Sequence, residues 1–422
     1  MTTPAPVAMA RERAAAMPFI MITVLIDMMS IGLIVPVLPG LVGSFTSSQS
    51  EQVWWYGAVT FAFSFANFFA SPVLGALSDK YGRRPVLLVG FCALSMSFFI
   101  TGLATALWML IVVRLFSGAM QSNASVANAY VADITEPEQR AKRFGLLGAM
   151  FGVGFILGPV MGGLLGAIDL RLPFFAAGSL ALVNLLYGWF VLPESLPVEK
   201  RRPIVWKTAL NPVAALAELR HLHGVGTLVA VVACANLAQF ILYTSWVLFT
   251  TFKFGWGPKE NGWWLFTVGV MSVLVQGFLL GKLLARYSPQ RLTVMGLFSS
   301  TLAYLAYGLA TEGWMLYLIV VCNILAFVVA ASIQSIVSGA ADATTQGRTM
   351  GAMSGLQSLM AVIAPVLSAP LLGVVSHLSR GDWRIGAPFY FCALLQLGAL
   401  GLAWAHFNKA RQARIAVAPH TP

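Results

Sequence analysis

The stretch Gly75–Pro85, Gly-Ala-Leu-Ser-Asp-Lys-Tyr-Gly-Arg-Arg-Pro, is a short and densely charged turn between two long apolar runs. The runs cover Tyr56–Leu77 and Val86–Leu107, and each is long enough to cross the ~30 Å hydrocarbon core of a bilayer as a helix. We therefore predict a helical hairpin at the membrane interface. Gly82 would supply the positive φ that a tight reversal often requires.

Asp79 in this turn falls where the preceding helix should end. A helix C-terminus carries partial negative charge, so a carboxylate at that point needs a compensating partner. Arg83, Arg84 and the positive N-terminal end of another helix are the candidates.

The composition of the whole chain is that of a polytopic membrane protein. Of its 422 residues 58% are hydrophobic and 10% are charged, whereas soluble proteins have about 45–50% and about 25%. The apolar runs are continuous rather than alternating, which favours helices over a membrane barrel. Twelve spans are predicted, at 18–43, 53–78, 86–107, 109–132, 143–168, 172–192, 225–252, 261–284, 291–311, 313–338, 347–377 and 385–407.

The net charge of +11 follows membrane topology rather than nucleic-acid binding. Twenty lysines and arginines lie on one side of these spans and five on the other, with Arg114 inside a span. The positive-inside rule then places both termini and the turn at Gly75 in the cytoplasm. We expect no nucleic-acid partner. Because the spans hold neither clustered cysteines and histidines nor a catalytic cluster, we also expect no metal, no other cofactor and no enzymatic activity.

The two halves of the chain repeat each other. Leu74–Tyr81 aligns with Leu280–Tyr287 at an offset of 206 residues, and two further matches share this offset. A recurring offset indicates two six-helix halves. We predict an all-α membrane protein with six-helix bundles at 1–192 and 225–422, joined by a cytoplasmic linker at 193–224.

Two ionisable residues lie well inside the predicted spans, Asp27 in the first and Arg114 in the fourth. Burying a charge costs about 2.5–3.5 kcal/mol on insertion scales, so each is a candidate functional residue. A carboxyl group favours its protonated form when desolvated and its ionised form when water or a cation reaches it, which is the switch that proton coupling needs. The alternatives are a static ion pair or a structural hydrogen bond for Asp27, and a structural cation for Arg114.

The fifth span is rich in glycine around a Gly-Pro pair. Glycines four residues apart permit close approach of two helices, and a Gly-Pro pair permits a bend, so by physics alone this is a packing and hinge helix. The residues of this pattern are Gly154, Gly158, Pro159, Gly162 and Gly163.

Three of these patterns resemble signatures of the major facilitator superfamily. The turn resembles its G-x-x-x-D-x-x-G-R-R loop, Arg114 with Gly118 resembles R-x-x-x-G on its fourth helix, and the glycine pattern resembles G-x-x-x-G-P-x-x-G-G of its exporters. The resemblance implies the major facilitator fold, a link between Arg114 and proton transfer, and a gating role for the loop. The loop residues are Gly75, Asp79, Gly82, Arg83 and Arg84.

Over most of its length the chain is similar to the twelve-helix tetracycline/proton and drug/proton antiporters. Asp27 occupies the first-helix acidic position of that group. The aspartates that the tetracycline antiporters carry in helices three and nine, and their histidine in helix eight, are replaced here by Ser97, Ser300 and Ser272. The resemblance therefore leaves open whether tetracycline itself is the substrate. It implies a bacterial inner membrane protein.

Polar and aromatic residues within the spans are candidates to line a central substrate cavity. They can equally form hydrogen bonds between helices, each worth about 0.6 kcal/mol on average. These residues are Asn67, Gln121, Asn123, Asn128, Gln239, Tyr243, Trp246, Gln276, Gln334 and Gln357.

We therefore expect a monomeric secondary transporter that exports amphipathic, drug-like molecules, tetracycline-like or multidrug, in exchange for protons. Its partners would be the small substrate, protons and the lipid bilayer. A proton-coupled importer or a uniporter of a nutrient or lipid on the same fold is the alternative.

Overall fold

Helices and short connections make up all of the chain that the computed structural model describes, which is residues 6–121, 123–136, 139–206, 210–211, 226–340 and 346–417. Neither strand nor bridge occurs within these ranges. The all-α fold class is therefore confirmed. The linker predicted at 193–224 is described only as far as 206 and at 210–211.

The first half of the chain contains eight helices within the described ranges. They are α1 (Pro6–Ile34), α2 (Leu38–Gly43), α3 (Gln49–Tyr81), α4 (Arg83–Leu103), α5 (Leu107–Met120), α6 (Asn123–Ile134), α7 (Arg140–Ile168) and α8 (Leu172–Val191).

The second half contains a further eight helices in its described part, and a π-helical turn at Val275–Leu279 joins the second of them to the third. They are α9 (Gly226–Phe254), α10 (Pro258–Leu274), α11 (Leu280–Arg286), α12 (Pro289–Leu309), α13 (Gly313–Cys322), α14 (Ala326–Ala340), α15 (Gln346–Gly373) and α16 (Ala387–Val417).

Eleven stretches of the described chain are long and apolar enough to cross a membrane, and each overlaps a predicted span. The remaining prediction, a continuous span at 109–132, is divided between α5 and α6, which have 14 and 12 residues. Crossing the hydrocarbon core takes about 20 helical residues, so only the two helices together complete this passage.

The first span bends where Pro36 interrupts it. α1 ends two residues before this proline, and α2 begins two residues after it. Proline has no N–H to donate to the preceding turn, and its ring crowds the carbonyl group four residues earlier, so a helix cannot continue through it undisturbed. The break in the first span is therefore explained by Pro36 itself.

The chain divides into two compact units, each with its own apolar core. One unit comprises Met1–Pro212 with Trp256–Gly269, so the first part of α10 packs with the first half of the chain; the other comprises Val213–Gly255 with Val270–Pro422. In the first unit α1, α4, α6 and α7 meet at Phe19, Phe91, Tyr130 and Leu147. In the second unit α9, α12, α14, α15 and α16 meet at Val231, Leu297, Val329, Leu356 and Ala399.

A single residue, Gly82, separates α3 from α4. Its φ of 110° is a conformation that side chains with a Cβ rarely adopt. The hairpin predicted at this turn is therefore built on glycine, with the charged residues Asp79 and Arg83 in the helical turns that flank it.

Candidate functional site

The polar face of α1 lies inside the first unit. Asp27 is 4% exposed, and Thr23 and Ser30, one turn to either side of it, are equally buried. The Ser30 hydroxyl donates to the carbonyl of Ile26 at 2.8 Å, and the Asn184 amide of α8 donates to the carbonyl of Thr23 at 3.1 Å. Asp27 is thus the one carboxylate that is buried among the described side chains.

Arg114 lies two turns into α5 and faces α3. Its guanidinium carbon is 5.9 Å from the centre of the Phe63 ring, within the range of a cation–π contact. Tyr56, which is on α3 like Phe63, is close enough to Arg114 to interact with it electrostatically. Within the described residues, neither Nε nor Nη2 of Arg114 has a hydrogen-bond acceptor. The position of this cation is therefore set by its aromatic neighbours on α3 and by the backbone of α5.

Asn67 and Gln121, both candidates for the substrate cavity, are brought together at the end of α5. The Asn67 amide nitrogen donates to the Gln121 carbonyl at 2.6 Å and to the Gly118 carbonyl at 3.3 Å. The amide of Asn67 is thus committed to the backbone of the fourth span.

The predicted gating loop holds a compact set of ion pairs. Arg83 contacts the Asp79 carboxylate at 2.6 Å and the Asp133 carboxylate, at the end of α6, at 3.2 Å. The same guanidinium donates to the Ser78 hydroxyl at 2.6 Å. Of the three partners considered for Asp79, Arg83 is the one that forms an ion pair with it in the structure. Gly75 has open space around it.

Arg84 points to the end of α8, where it donates to the Trp189 carbonyl at 2.7 Å. Next to it lies Glu194, which the sequence reasoning missed. The Glu194 carboxylate accepts the backbone N–H of Arg83 at 2.8 Å and that of Arg84 at 3.3 Å. It therefore caps the N-terminus of α4, where a negative charge is favourable. The only signal in the sequence was an acidic residue just after the sixth span.

The glycine pattern of α7 lies directly against α1. A Cβ at Gly158 would come within 2.7 Å of the Met29 carbonyl, and one at Gly162 would meet the Leu33 carbonyl. Gly154 is equally close to Leu25, at 2.8 Å. These three glycines allow the two helix backbones to touch.

Gly163 faces another way, toward the first part of α10 within the same unit. A Cβ at Gly163 would lie 2.7 Å from the Pro258 carbonyl and 3.1 Å from the Gly262 Cα. A Cβ at Gly262 would in turn lie 2.6 Å from the Pro159 carbonyl. The stretch from Pro159 to Gly163 therefore packs closely against α10, and each of the two helices has a glycine at this contact.

A sequence profile of the Major Facilitator Superfamily matches residues 20–365, which is most of the chain. The protein belongs to the major facilitator superfamily. The match runs through both halves and includes Asp27, Arg114, the loop at Gly75 and the glycine pattern of α7. The resemblance drawn from the loop, Arg114 and the glycine pattern is confirmed.

Individual members of the superfamily are similar along almost the whole chain. The tetracycline resistance protein, class C, of Escherichia coli is 35% identical over 88% of this chain and 93% of its own length. Multidrug resistance protein 2 of Bacillus subtilis (strain 168) is 28% identical over 92% of this chain and 94% of its own length. The human organic anion transporter MFSD10 (TETRAN) has the same fold, with a TM-score of 0.67 at 23% identity, covering 93% of this chain and 99% of that one.

In the second unit of this superfamily member, three cavity candidates follow one another along α9. Gln239 is hydrogen-bonded to Tyr243, whose side chain is half exposed. Trp246 is instead buried, with its ring 5.2 Å from that of Tyr307 and 5.8 Å from that of Phe389, measured between centroids. A place in the substrate cavity stays a prediction for all three.

Gln276 lies on the π-helical turn between α10 and α11, and its amide donates to the Ser272 hydroxyl at 2.7 Å. Such turns occur frequently at functional sites. The side chain of Asn123 lies outside the described part. Three further cavity candidates are exposed: Asn128, Gln334 and Gln357.

The positions at which the resemblance to tetracycline antiporters leads one to expect aspartate are buried hydroxyls here. Ser97 donates to the carbonyl of Leu94 in its own helix at 2.8 Å, and Ser300 is similarly enclosed. These spans therefore bury neutral side chains where the resemblance implies acids.

Lys253 is a buried cation that the sequence reasoning placed outside a span. It lies inside α9, 3% exposed, and its ammonium group donates to the Gly308 carbonyl at 2.5 Å. Gly308 is in the last turn of α12, where a helix end carries partial negative charge. The arrangement stabilises that helix end.

Proposed function

We propose that the protein is a proton-coupled antiporter that exports amphipathic, drug-like compounds. The observation that carries the proposal is the burial of Asp27, at 4% exposure, in an otherwise apolar helix. A carboxyl group in that environment can exchange a proton, and in lipid it is too costly to retain without a role. Similarity to tetracycline resistance and multidrug resistance proteins supports drugs as the cargo and export as the direction.

Transport would follow from alternation of two six-helix bundles, 1–192 and 225–422, joined by the linker 193–224. Protonation of Asp27 from outside favours the inward-facing state. Binding of the drug on the cytoplasmic side favours release of that proton, and the transporter then turns outward with the drug. A ligand can shift such an equilibrium only by its difference in affinity for the two states, so proton and drug must compete.

Arg114 would assist by drawing the proton from Asp27, since an approaching cation favours the ionised carboxylate. The gating loop would hold the cytoplasmic side through the pairs of Arg83 with Asp79 and Asp133. The glycines of α7 would keep this helix in close contact with α1 and α10 during the cycle. Gln121 and the aromatic and amide residues of α9 would contribute to the substrate cavity.

The transporter is proposed to act as a monomer in the bacterial inner membrane, with both termini in the cytoplasm. The unequal distribution of lysines and arginines supports this orientation. Labelling of single cysteines introduced at the termini and in loops, with a thiol reagent that does not cross the membrane, tests it. Labelling of the C-terminus from outside intact cells would reverse the orientation.

Proton release on drug binding tests the coupling. Purified protein in weakly buffered detergent solution is titrated with tetracyclines and other lipophilic drugs while pH is followed. We expect release from the wild-type protein and none from Asp27→Asn. Asp169→Asn is the matched control, because Asp169 is exposed and accepts only a backbone N–H of Arg171, a bond that the asparagine oxygen can keep.

Drug binding without proton release in the wild-type protein would contradict coupling and favour the uniporter. Equal proton release from Asp27→Asn and the wild-type protein would mean that a group other than Asp27 releases the proton. Uptake of drug into cells driven by an inward proton gradient would favour the importer.

A further inference from the structure

Within the fourth predicted span, 109–132, the helix α5 ends close to the midpoint of the span. α5 stops at Met120, and Gln121, with φ of −92° and ψ of 94°, leaves the helical conformation. The last carbonyl groups of a helix have no partner within it, and in lipid each of them costs several kcal/mol when it stays unpaired. A hydrogen-bond donor from outside the helix is needed at this point.

Asn67 of α3 supplies that donor. Its amide nitrogen reaches the Gln121 carbonyl at 2.6 Å and the Gly118 carbonyl at 3.3 Å. Both partners are carbonyl oxygens, which can only accept, so the nitrogen and not the oxygen of the amide must face them. Asn67 thus supplies a donor to the Gln121 carbonyl and a second, longer bond to the Gly118 carbonyl, which also accepts the backbone N–H of Gln121 at 3.4 Å.

The same face of α3 also touches Arg114. Tyr56, Phe63 and Asn67 are seven and then four residues apart, which places them along one side of the helix. A Cβ at Gly118 would meet the Phe63 carbonyl, so the two backbones are in contact between Arg114 and the hydrogen bonds of Asn67. The end of α5 and the Arg114 side chain are therefore fixed by one stripe of α3.

Arg114 depends on this attachment because no ion pair to it is found among the described residues. Nε and Nη2 of its guanidinium have no acceptor within the described residues, and its ring contact with Phe63 is 5.9 Å. The depth and rotation of the cation are then set by the backbone of α5. That backbone is anchored one turn further on, at Gly118, by Asn67.

We propose that Asn67 is a positioning residue that fixes the end of α5 and thereby places Arg114 for proton exchange. The inference rests on the coupling role proposed for Asp27 and Arg114. It gives Asn67 a role in proton transfer in place of drug contact. Loss of Asn67 should therefore change coupling more than it changes drug affinity.

The test compares Asn67→Ala and Asn67→Asp with the control Thr60→Val. Thr60 is on the same helix, but its hydroxyl donates only to the carbonyls of Tyr56 and Gly57 in α3 itself. Drug affinity, drug-induced proton release and thermal stability are measured on each purified variant. We expect about a tenfold loss of proton-coupled transport in Asn67→Ala, the factor that corresponds to losing one or two hydrogen bonds. Drug affinity should change less than twofold.

Asn67→Asp provides a signature that a merely structural role would not produce. A protonated carboxyl group can donate one hydrogen bond to the end of α5, and the ionised form can donate none. Transport by Asn67→Asp should therefore recover as pH falls, whereas Asn67→Ala should show no such recovery.

The outcomes separate the two proposals. No proton release from the wild-type protein would overturn the proposed coupling and this inference with it. Release from the wild type, together with wild-type coupling in a folded Asn67→Ala, would overturn the role of Asn67 alone. A fall in thermal stability with an unchanged pH profile in Asn67→Asp would also overturn it, because Asn67 would then be structural.

Discussion

The two turns that the internal repeat places in equivalent positions are built by different means. The first, Gly75–Pro85, carries the ion pairs of Arg83 and the carboxylate cap of Glu194. The second, Gly281–Arg291, has Ala285 where the first has Asp79, and Ser288 where the first has Gly82. None of the ion pairs found among the described residues falls in it.

The second turn is closed by a simple helix cap. The Ser288 hydroxyl accepts the backbone N–H of Arg291 at 3.4 Å, and Pro289 opens α12. Serine before a proline at the first helical position is a favourable way to begin a helix. The comparison shows that the repeat preserves where the chain reverses, whereas among the described residues only the first copy has an acidic residue and ion pairs at the turn. We infer that the first turn carries a role that the second does not.

Arg83→Ala should have the largest effect on this comparison. It removes both ion pairs and leaves Asp79 and Asp133 without their cation, which should cost about 1–2 kcal/mol, between a surface pair and a buried one, because Asp79 is half exposed. Transport in vesicles should be nearly lost. Arg291→Ala is the matched control in the second turn, since its side chain is exposed and should cost less than about 0.5 kcal/mol. If Arg83→Ala and Arg291→Ala lowered the melting temperature and transport to the same extent, the two turns would not differ in their contribution.

Gly82→Ala should have the next largest effect. The φ of 110° and ψ of 160° at this position are nearly restricted to glycine, which makes a substitution cost about 1–3 kcal/mol. The added methyl group would also meet the Glu194 carboxylate. We expect a lower melting temperature and weaker transport. A variant as stable as the wild type would show that the turn can adopt another conformation.

What the sequence predicted about these turns depended on how local the cause was. Continuous apolar runs predicted the spans, because the length and apolarity of a run are local properties of the sequence. The reversal at Gly82 was equally local. The pair of Asp79 with Arg83 was among three candidates, since both residues flank the same turn.

Other features depend on residues far apart in the chain. Glu194 caps α4 from 111 residues away, so its role follows only from the way α8 ends beside the turn. The division of the fourth span was not predicted either, because Gln121 is not a helix breaker and its partner Asn67 is 54 residues earlier. The candidate cavity amides were predicted as a set. Tertiary packing decided that Asn67 donates to the backbone and that Trp246 is buried.

Ser288→Ala should have a smaller effect, confined to the second turn. Loss of a serine cap typically costs about 1 kcal/mol, because one N–H at the start of the helix then has no partner. We expect a modest fall in melting temperature and transport close to that of the wild type. Ser288→Gly should cost only a few tenths of a kcal/mol and serves as the control. A large loss of transport in Ser288→Ala would mean that the second turn also takes part in gating.

Glu194→Gln should have the smallest effect on stability, and it separates charge from hydrogen bonding in the first turn. Glutamine keeps one oxygen, which can accept the N–H of Arg83, the shorter of the two bonds. It loses the second oxygen, which accepts the N–H of Arg84 at 3.3 Å, and the negative charge at the start of α4. A charge near a helix terminus is worth about 0.3–1 kcal/mol and is screened by salt. We expect the melting temperature of Glu194→Gln to approach that of the wild type as salt is raised. Glu194→Ala loses the acceptor as well, so its deficit should persist at high salt. If the two variants were equally unstable at every salt concentration, the charge of Glu194 would matter more than its hydrogen bonds, and the first turn would depend on charge throughout.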